Sequence, residues 1–164
     1  MIHLDANLLI ALVKPSDGHH PAAARVVSLA APLGSSSIAW MELFSKPVHP
    51  GDKAALQAIL SAGIHPFDET CADLAGELYH RTGSKRRTRL DTMIAASAIL
   101  AGAELATVNP ADFAPFVPHG LKLLVPPVAE TLARLHPLFL PEEEEFELPA
   151  RMDRESARHP LGED

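Results

Sequence analysis

Four acidic side chains stand where strands end or helices begin along this sequence. Asp5 follows a short apolar stretch, Glu42 follows "SSSIAWM", and Asp91 opens the apolar "DTMIAASAILAG". Asp112 lies in "TVNPADF", together with Asn109. A buried carboxylate is costly unless a cation or hydrogen-bond donors meet it. The four acids therefore predict either separate local helix caps or one shared cation site.

Each acid has a local explanation when it is taken alone. Asp5 and Asp91 are typical N-cap residues. Glu42 in a first helical turn would interact favourably with the helix dipole, and Asp112 would close a turn after an Asn-Pro pair. Their joint placement is harder to explain in this way, because close carboxylates repel unless they are protonated or paired with cations. The cluster therefore favours catalysis over four unrelated caps.

The donor types indicate which cation such a cluster would hold. Oxygen ligands without a neighbouring Cys or a suitable His favour a hard divalent ion such as Mg²⁺ or Mn²⁺. Such an ion can activate water for in-line attack on a phosphodiester, while its charge stabilises the leaving oxygen. In this interpretation Asp5 is a metal ligand, and Asn7 orients it by hydrogen bonding.

The elements that position these residues alternate between strands and helices. Strands are predicted at residues 2–4 and in "LGSSSIAW", "IHPF", "ELATV" and "LKLLV". Helices are predicted from Asn7 and in "PAAARVVSLA", "WMELFSK", "PGDKAALQAILSAG", "DETCADLAGELYHRTG" and "LDTMIAASAILAG", with Gly63 and Gly102 closing two of them. This α/β alternation predicts a parallel sheet covered on both faces, with the functional crevice beyond the C-terminal strand ends.

Length and charge divide the chain into a body and an extension. The 164 residues and the 47% hydrophobic content fit one domain with a packed core. The net charge of −7 is concentrated in residues 126–164, which carry ten Asp and Glu against four Lys and Arg. Residues 1–125 carry eleven against ten. We therefore predict a domain at 1–125 and an acidic, Pro-rich, partly disordered extension at 126–164.

The chain lacks the marks of export or membrane insertion. Cys71 is the only cysteine, so no intrachain disulfide can form and a reducing compartment is suitable. No basic-then-apolar leader is visible, and no apolar run approaches the roughly 20 residues of a membrane helix. We expect a cytoplasmic protein without a membrane partner.

Three segments, in their order and separation, resemble a known family. "LDANLLIAL", "SSSIAWMEL" and "RLDTMIAASAILAGAELATVNPADF" are similar to the PIN domain, and especially to the VapC-type toxin ribonucleases of bacterial toxin–antitoxin pairs. The resemblance covers residues 1–125. It implies an α/β/α sandwich around a parallel sheet of four to five strands, dependence on Mg²⁺ or Mn²⁺, and RNA as the substrate.

The resemblance also implies a set of site residues. Asp5, Glu42 and Asp91 match the first three acidic positions of the family. The fourth position is either Asn109 or Asp112, because related sequences often carry Asp where this one has Asn109. We expect catalysis by Asp5, Glu42, Asp91 and Asp112, with metal held by Asp5, Asp91 and Asp112. An Asn ligand would remove one negative charge, which leaves open whether one metal ion or two are bound.

Supporting residues follow from the same motifs. Thr107 and Ser37 resemble residues whose hydroxyl groups do not bind the metal but hold its ligands in position by hydrogen bonding. Asn7 and Asn109 are expected to support the site in the same way.

A basic segment precedes the third acid. "RTGSKRRTRLD" holds half of the positive charge of residues 1–125 next to Asp91. A solvated loop is the usual explanation of such a run, but its position beside the acids favours contact with RNA phosphates. The expected RNA-binding residues are Arg81, Lys85, Arg86, Arg87 and Arg89.

The sequence therefore predicts a metal-dependent endoribonuclease, the toxin of a toxin–antitoxin pair. The family implies an antitoxin partner and a homodimer. Two alternatives stay open, a non-catalytic PIN-like module that binds nucleic acid or protein, and a metal-dependent phosphohydrolase of small phosphoesters. For the extension, a solvated tail is favoured over a segment whose "EEEE" competes with RNA for the basic surface or with phosphate for metal.

Overall fold

A computed structural model describes residues 1–45 and 47–126, so the predicted extension beyond Pro126 lies outside the described residues. The strands are β1 (Ile2–Leu4), β2 (Leu33–Ser36), β3 (Gly63–His65), β4 (Glu104–Ala106) and β5 (Lys122–Leu124). The helices are α1 (Ala6–Val13), α2 (His20–Val27), α3 (Ser37–Leu43), α4 (Pro50–Ile59), α5 (Glu69–Arg81), α6 (Arg89–Leu100) and α7 (Pro110–Phe113). Short 3₁₀ segments cover Arg86–Thr88 and Ala114–His119.

The strands form one five-stranded sheet in the order β3-β2-β1-β4-β5, and every neighbouring pair is parallel. Leu4, the last residue of the central strand, is in register with Ser35 and with Ala106. All five strands therefore end at the same rim, and helices cover the sheet. This arrangement confirms the predicted α/β/α class with a parallel sheet.

The core explains why the sequence alternates as it does. Helix α1 buries Leu8 and Leu9 completely, and the Ala-rich α6 places Ile94 and its neighbouring alanines against the sheet with no exposed surface. Small residues on α6 let the helix approach the strands closely. None of the helices in the described ranges is long and apolar enough to span a membrane.

Two histidines stack inside the sheet. The ring centroids of His3 and His65 are 5.7 Å apart, and neither ring nitrogen of the fully buried His3 has a hydrogen-bond partner among the described residues. A Cβ atom on Gly34 would lie 3.1 Å from His65 Nε2, so the glycine leaves room for the pair. Burial, and secondarily the charge of His65, lowers the pKa of His3 to about 3. His3 is therefore neutral at physiological pH.

Several predicted boundaries were wrong. Helix α3 begins at Ser37 rather than at Trp40, because Ser36 Oγ accepts the Ala39 N–H at 3.1 Å and caps the helix there. Gly63, expected to close a helix, begins β3 instead. The helix α7 and the two 3₁₀ segments were not predicted.

Candidate active site

Asp5 stands directly after the central strand and begins α1. Its Oδ1 accepts the Ala6 N–H at 2.7 Å, which makes it the N-cap of the helix. Its own N–H donates to the Ala106 carbonyl at 3.1 Å, so the backbone is pinned between β1 and β4. The residue is only 2% exposed. The cap predicted as a local explanation and the position at the rim are thus both present.

The second carboxylate oxygen of Asp5 accepts hydrogen bonds from two side chains. Thr107 Oγ1 donates to Asp5 Oδ2 at 2.9 Å, and the Asn109 N–H donates to Thr107 Oγ1 at 3.0 Å. Asn7 Nδ2 reaches the same Oδ2 at a longer 3.5 Å. Because an ionised carboxylate can only accept, the single hydroxyl proton of Thr107 points to Asp5, while a lone pair of the same oxygen accepts the Asn109 N–H.

The charge on Asp5 is disfavoured despite these donors. Burial is the largest effect and raises the pKa of its carboxyl group, and the charge of Asp112 raises it further. The hydrogen bonds from Thr107, Ala6 and Asn7 act in the opposite direction. A cation near the carboxylate would lower this pKa and so offset the effect of burial.

Glu42 lies in the last turn of α3, not in the first turn as the sequence suggested. The earlier start of the helix moves it, yet the half-buried side chain still faces the other acids. Burial raises the pKa of its carboxyl group, and the charges of Asp5 and Asp91 add to the shift.

Asp91 occupies the first turn of α6, which begins two residues before it. Burial, followed by the charges of Asp112 and Asp5, raises its pKa to about 6. The positive end of the helix dipole favours the charged form but does not offset these effects. At neutral pH the side chain is ionised among like charges.

Asp112 is exposed in α7, and its charge acts on both Asp5 and Asp91. Asn109 precedes the same helix at the N-cap position, where its side chain makes no capping hydrogen bond. The two candidates for the fourth position thus differ in what they contribute. Asp112 supplies a carboxylate to the cluster, whereas Asn109 supplies its backbone N–H to Thr107.

The four carboxylates form the acidic cluster Asp5, Glu42, Asp91 and Asp112. Within residues 1–45 and 47–126 the single ion pair joins Arg81 to Glu77, so no described cationic side chain pairs with the cluster. In the same ranges no group of three or more Asp, Glu, His or Cys side chains is close enough to hold a metal ion directly. The all-oxygen donor set and the mutual repulsion still fit a hard divalent ion, which uses few carboxylates and keeps several waters.

A cleft of about 360 Å³ opens beside this cluster. Asp91 and Asp112 lie on its wall together with Lys85 and Arg87 from the basic segment. Pro115 and Phe116, from the segment that follows α7, also line the cleft. The cleft therefore combines carboxylates with cations, as a site for a phosphodiester and a divalent ion would.

The remaining predicted residues take different positions. Ser37 Oγ accepts the Phe67 N–H at 3.0 Å, so it fixes the segment after β3 rather than an acid of the cluster. Arg81 pairs with Glu77, and Arg89 lies over the Tyr79 ring at 5.7 Å. These three side chains serve contacts outside the cleft.

One supporting hydroxyl was missed. Ser35 Oγ donates to the Leu4 carbonyl at 2.8 Å, and Ser35 is fully buried. It thereby steadies the residue before Asp5. The run of three serines in "GSSSIAW" does not reveal which of them faces β1, because that depends on the strand register.

The chain was compared with known protein families and with curated proteins. The PIN domain family matches residues 2–114. A search of curated proteins gave no match.

Solved structures share the fold. The VapBC2 complex of Rickettsia felis bound to promoter DNA has a TM-score of 0.56 and 23% identity, covering 76% of this chain and 98% of that one. The sarcin–ricin loop cleaving toxin VapC20 of Mycobacterium tuberculosis has a TM-score of 0.53 and 19% identity, covering 66% and 88%. A toxin–antitoxin complex of Klebsiella pneumoniae has a TM-score of 0.52 and 26% identity, covering 70% and 91%.

Proposed function

The chain belongs to the PIN domain family, and from this premise we propose that it is a divalent-metal-dependent endoribonuclease and the toxin of a toxin–antitoxin pair. The observation that carries the proposal is the acidic cluster beside a cleft that also presents Lys85 and Arg87. A repelling set of carboxylates without cationic partners destabilises a fold, so its presence beside a basic wall favours a catalytic role.

Asp5, Asp91 and Asp112 would hold the metal, with one or two of the carboxylates as direct ligands and the rest acting through metal-bound water. When bound, a Mg²⁺ or Mn²⁺ ion supplies positive charge to the phosphodiester and to the leaving oxygen. Thr107 and Asn7 keep the Asp5 carboxylate in a fixed orientation for that purpose. Asp112 is the fourth acid of this proposal, because its charge already acts on the other two.

Glu42 would take up the proton of the attacking water. Its half-buried side chain and the raised pKa of its carboxyl group suit proton transfer near neutral pH better than an ordinary glutamate would. Lys85 and Arg87 would hold the RNA backbone along the cleft wall.

We also propose a partner, an oligomeric state and a location. The similar structures from Rickettsia felis and Klebsiella pneumoniae are toxin–antitoxin complexes, which supports a cognate antitoxin for this chain. A homodimer and a cytoplasmic location complete the proposal.

The first test is cleavage of a mixed RNA pool in the presence of Mn²⁺ or Mg²⁺. We expect cleavage that EDTA abolishes and that Asp5→Asn lowers by at least about a hundredfold, as loss of a ligand carboxylate would. Asp73→Asn is the matched control, since Asp73 is exposed on α5 and the substitution changes the same charge. It should leave cleavage unchanged.

The second candidate is a PIN-like binding module without catalysis, which the absence of a converged metal group in the described ranges favours. RNA binding without cleavage under any metal condition would select it. Hydrolysis of a chromogenic phosphomonoester, with no cleavage of RNA, would instead indicate a phosphohydrolase.

A further inference from the structure

Four cations of the basic segment have no described ionic partner, and one of them, Arg89, lies over the Tyr79 ring instead. Lys85, Arg86 and Arg87 are exposed, and the one ion pair in the described ranges belongs to Arg81. Lys85 and Arg87 line the cleft beside Asp91. We call residues 85–87 the basic entrance. Two of its three cations stand on the cleft wall, where they would attract a polyanion.

The chain leaves the described fold at the same rim. The carbonyl of Leu124, the last residue of β5, accepts the Thr107 N–H at 3.2 Å. The Thr107 hydroxyl in turn donates to Asp5. Because all strands are parallel, the residues that follow Leu124 start at the carboxyl ends of the strands, where the cleft lies.

The sequence beyond that point carries a dense acidic segment. Glu142, Glu143, Glu144, Glu145 and Glu147 form the acidic segment, residues 142–147, in "PEEEEFELP". Glu142 follows Pro126 by 16 residues. A chain of that length spans roughly 50 Å when fully extended, and a random coil of that length averages roughly 20 Å end to end. The basic entrance is within this reach. Leu124 is bonded to Thr107, and Thr107 is bonded to Asp5. The charge of Asp112 acts on Asp5, and Asp112 lines the cleft together with Lys85 and Arg87.

Resting on the proposed function, we propose that the acidic segment docks in cis on the basic entrance and competes there with the RNA backbone. The charges are complementary, and the connecting chain begins beside the cleft. Tethering at this distance gives the segment a local concentration of the order of millimolar, so weak contacts suffice for occupancy. A long RNA with many phosphates would displace it.

The contact is tested first, without reference to activity. A nitroxide on Ala150→Cys in the full chain should broaden the backbone amide signals of residues 85–87 and leave those near Arg25 on α2 unaffected. Cys71 is buried, so the introduced thiol takes the label. The broadening should vanish when the five glutamates of residues 142–147 are changed to Gln, and in about 0.5 M salt, where the Debye length falls to a few ångströms.

Competition is tested on the same two proteins with single-stranded RNA. We expect the Gln variant to bind and cleave RNA roughly three- to tenfold better at low salt, with the difference closing as salt rises. Neutralising the other five acids of the extension is the matched control and should change little, because it removes the same charge from outside the segment. These acids are Glu130, Asp153, Glu155, Glu163 and Asp164.

The outcomes separate this inference from the proposed function. Unaltered amide signals at residues 85–87, with RNA cleavage present, would overturn the docking and leave the nuclease intact. Broadened signals with no RNA cleavage by either protein would overturn the nuclease while supporting the docking. Broadened signals with equal RNA binding and cleavage by both proteins would overturn the competition.

Discussion

Asp5 depends on one hydroxyl group for its orientation, and that dependence can be measured. Thr107→Val removes the 2.9 Å hydrogen bond to Asp5 Oδ2 while keeping the size of the buried side chain. We expect RNA cleavage to fall roughly 10- to 100-fold, the usual effect of losing a group that orients a metal ligand. Thr107→Ser keeps the hydroxyl and should retain most of the activity. The check is kcat/KM for both variants.

Stability measurements show whether the effect of Thr107→Val is local. A buried Thr-to-Val change can itself cost about 1 kcal/mol, because the Asn109 N–H loses its acceptor. Equal loss of cleavage in the Ser and Val variants would contradict the role assigned to the hydroxyl.

Replacing Asp91 should lower activity but raise stability. The folded state raises its pKa to about 6 from the usual 3.8, so this carboxyl group stabilises the fold fully below pH 3.8 and loses that contribution as pH rises through 6. Asp91→Asn should therefore raise the free energy of unfolding at pH 7.5 without divalent ions. We expect about 1 kcal/mol, after allowing for solvent screening and for the favourable first-turn dipole.

Urea denaturation at two pH values checks this sign. The gain from Asp91→Asn should shrink at about pH 4.5, where Asp91 is already protonated in the native state. Asp73→Asn should show no comparable gain at either pH. A destabilised Asp91→Asn protein at pH 7.5 would contradict the assigned repulsion.

At the scale of elements, the sequence predicted the order of strands and helices and the rim on which the acids meet. The alternation of strands and helices indicates a parallel sheet, and parallel strands all end at the same rim. The start of α3 did not follow, because Ile38 and the three serines also suit a strand. Only the Ser36 cap on Ala39 decides between them, and it moves Glu42 to the last turn.

The short elements were not predictable for a different reason. Helix α7 has four residues and the following 3₁₀ segment has six, too few to show an apolar period. Yet they place Asp112 and Phe116 on the cleft wall. The hydrogen bond between the Asn109 backbone and Thr107 was equally invisible, because a main-chain donor leaves no mark on residue types.

The connection between α5 and α6 should control how RNA binding responds to salt. Lys85→Gln with Arg87→Gln removes the two cleft-lining cations, so we expect weaker binding and a salt slope smaller by about 1.4, the value for two contacts to a single strand. Fluorescence anisotropy with a labelled oligonucleotide over a salt series measures both. Arg25→Gln on α2, which does not line the cleft, is the control. An unchanged salt slope in the double variant would show that the segment between α5 and α6 does not contact RNA.

For the whole molecule, metal binding should appear as stability. Mn²⁺ at a hundred times its Kd should add about 2.7 kcal/mol to the free energy of unfolding, which corresponds to several degrees in Tm. Asp5→Asn should abolish the shift and Asp73→Asn should retain it. Because the ligands must be deprotonated, the shift should also fade below about pH 6 as Asp91 takes up a proton. Thermal melts with and without Mn²⁺ decide the matter, and no shift in the unmodified protein would argue against the metal site.

The pairing of Thr107 with Leu124 links the outermost strand to the most buried acid. Strand β5 has three residues and lies at the sheet edge, so it belongs to the parts of a fold that open most readily. Each opening frees the Thr107 amide, so amide hydrogen exchange at this one position would report how often the strand releases the residue that supports Asp5. Substitutions in β5 that touch no functional group would then lower turnover in proportion to the time the strand spends unpaired.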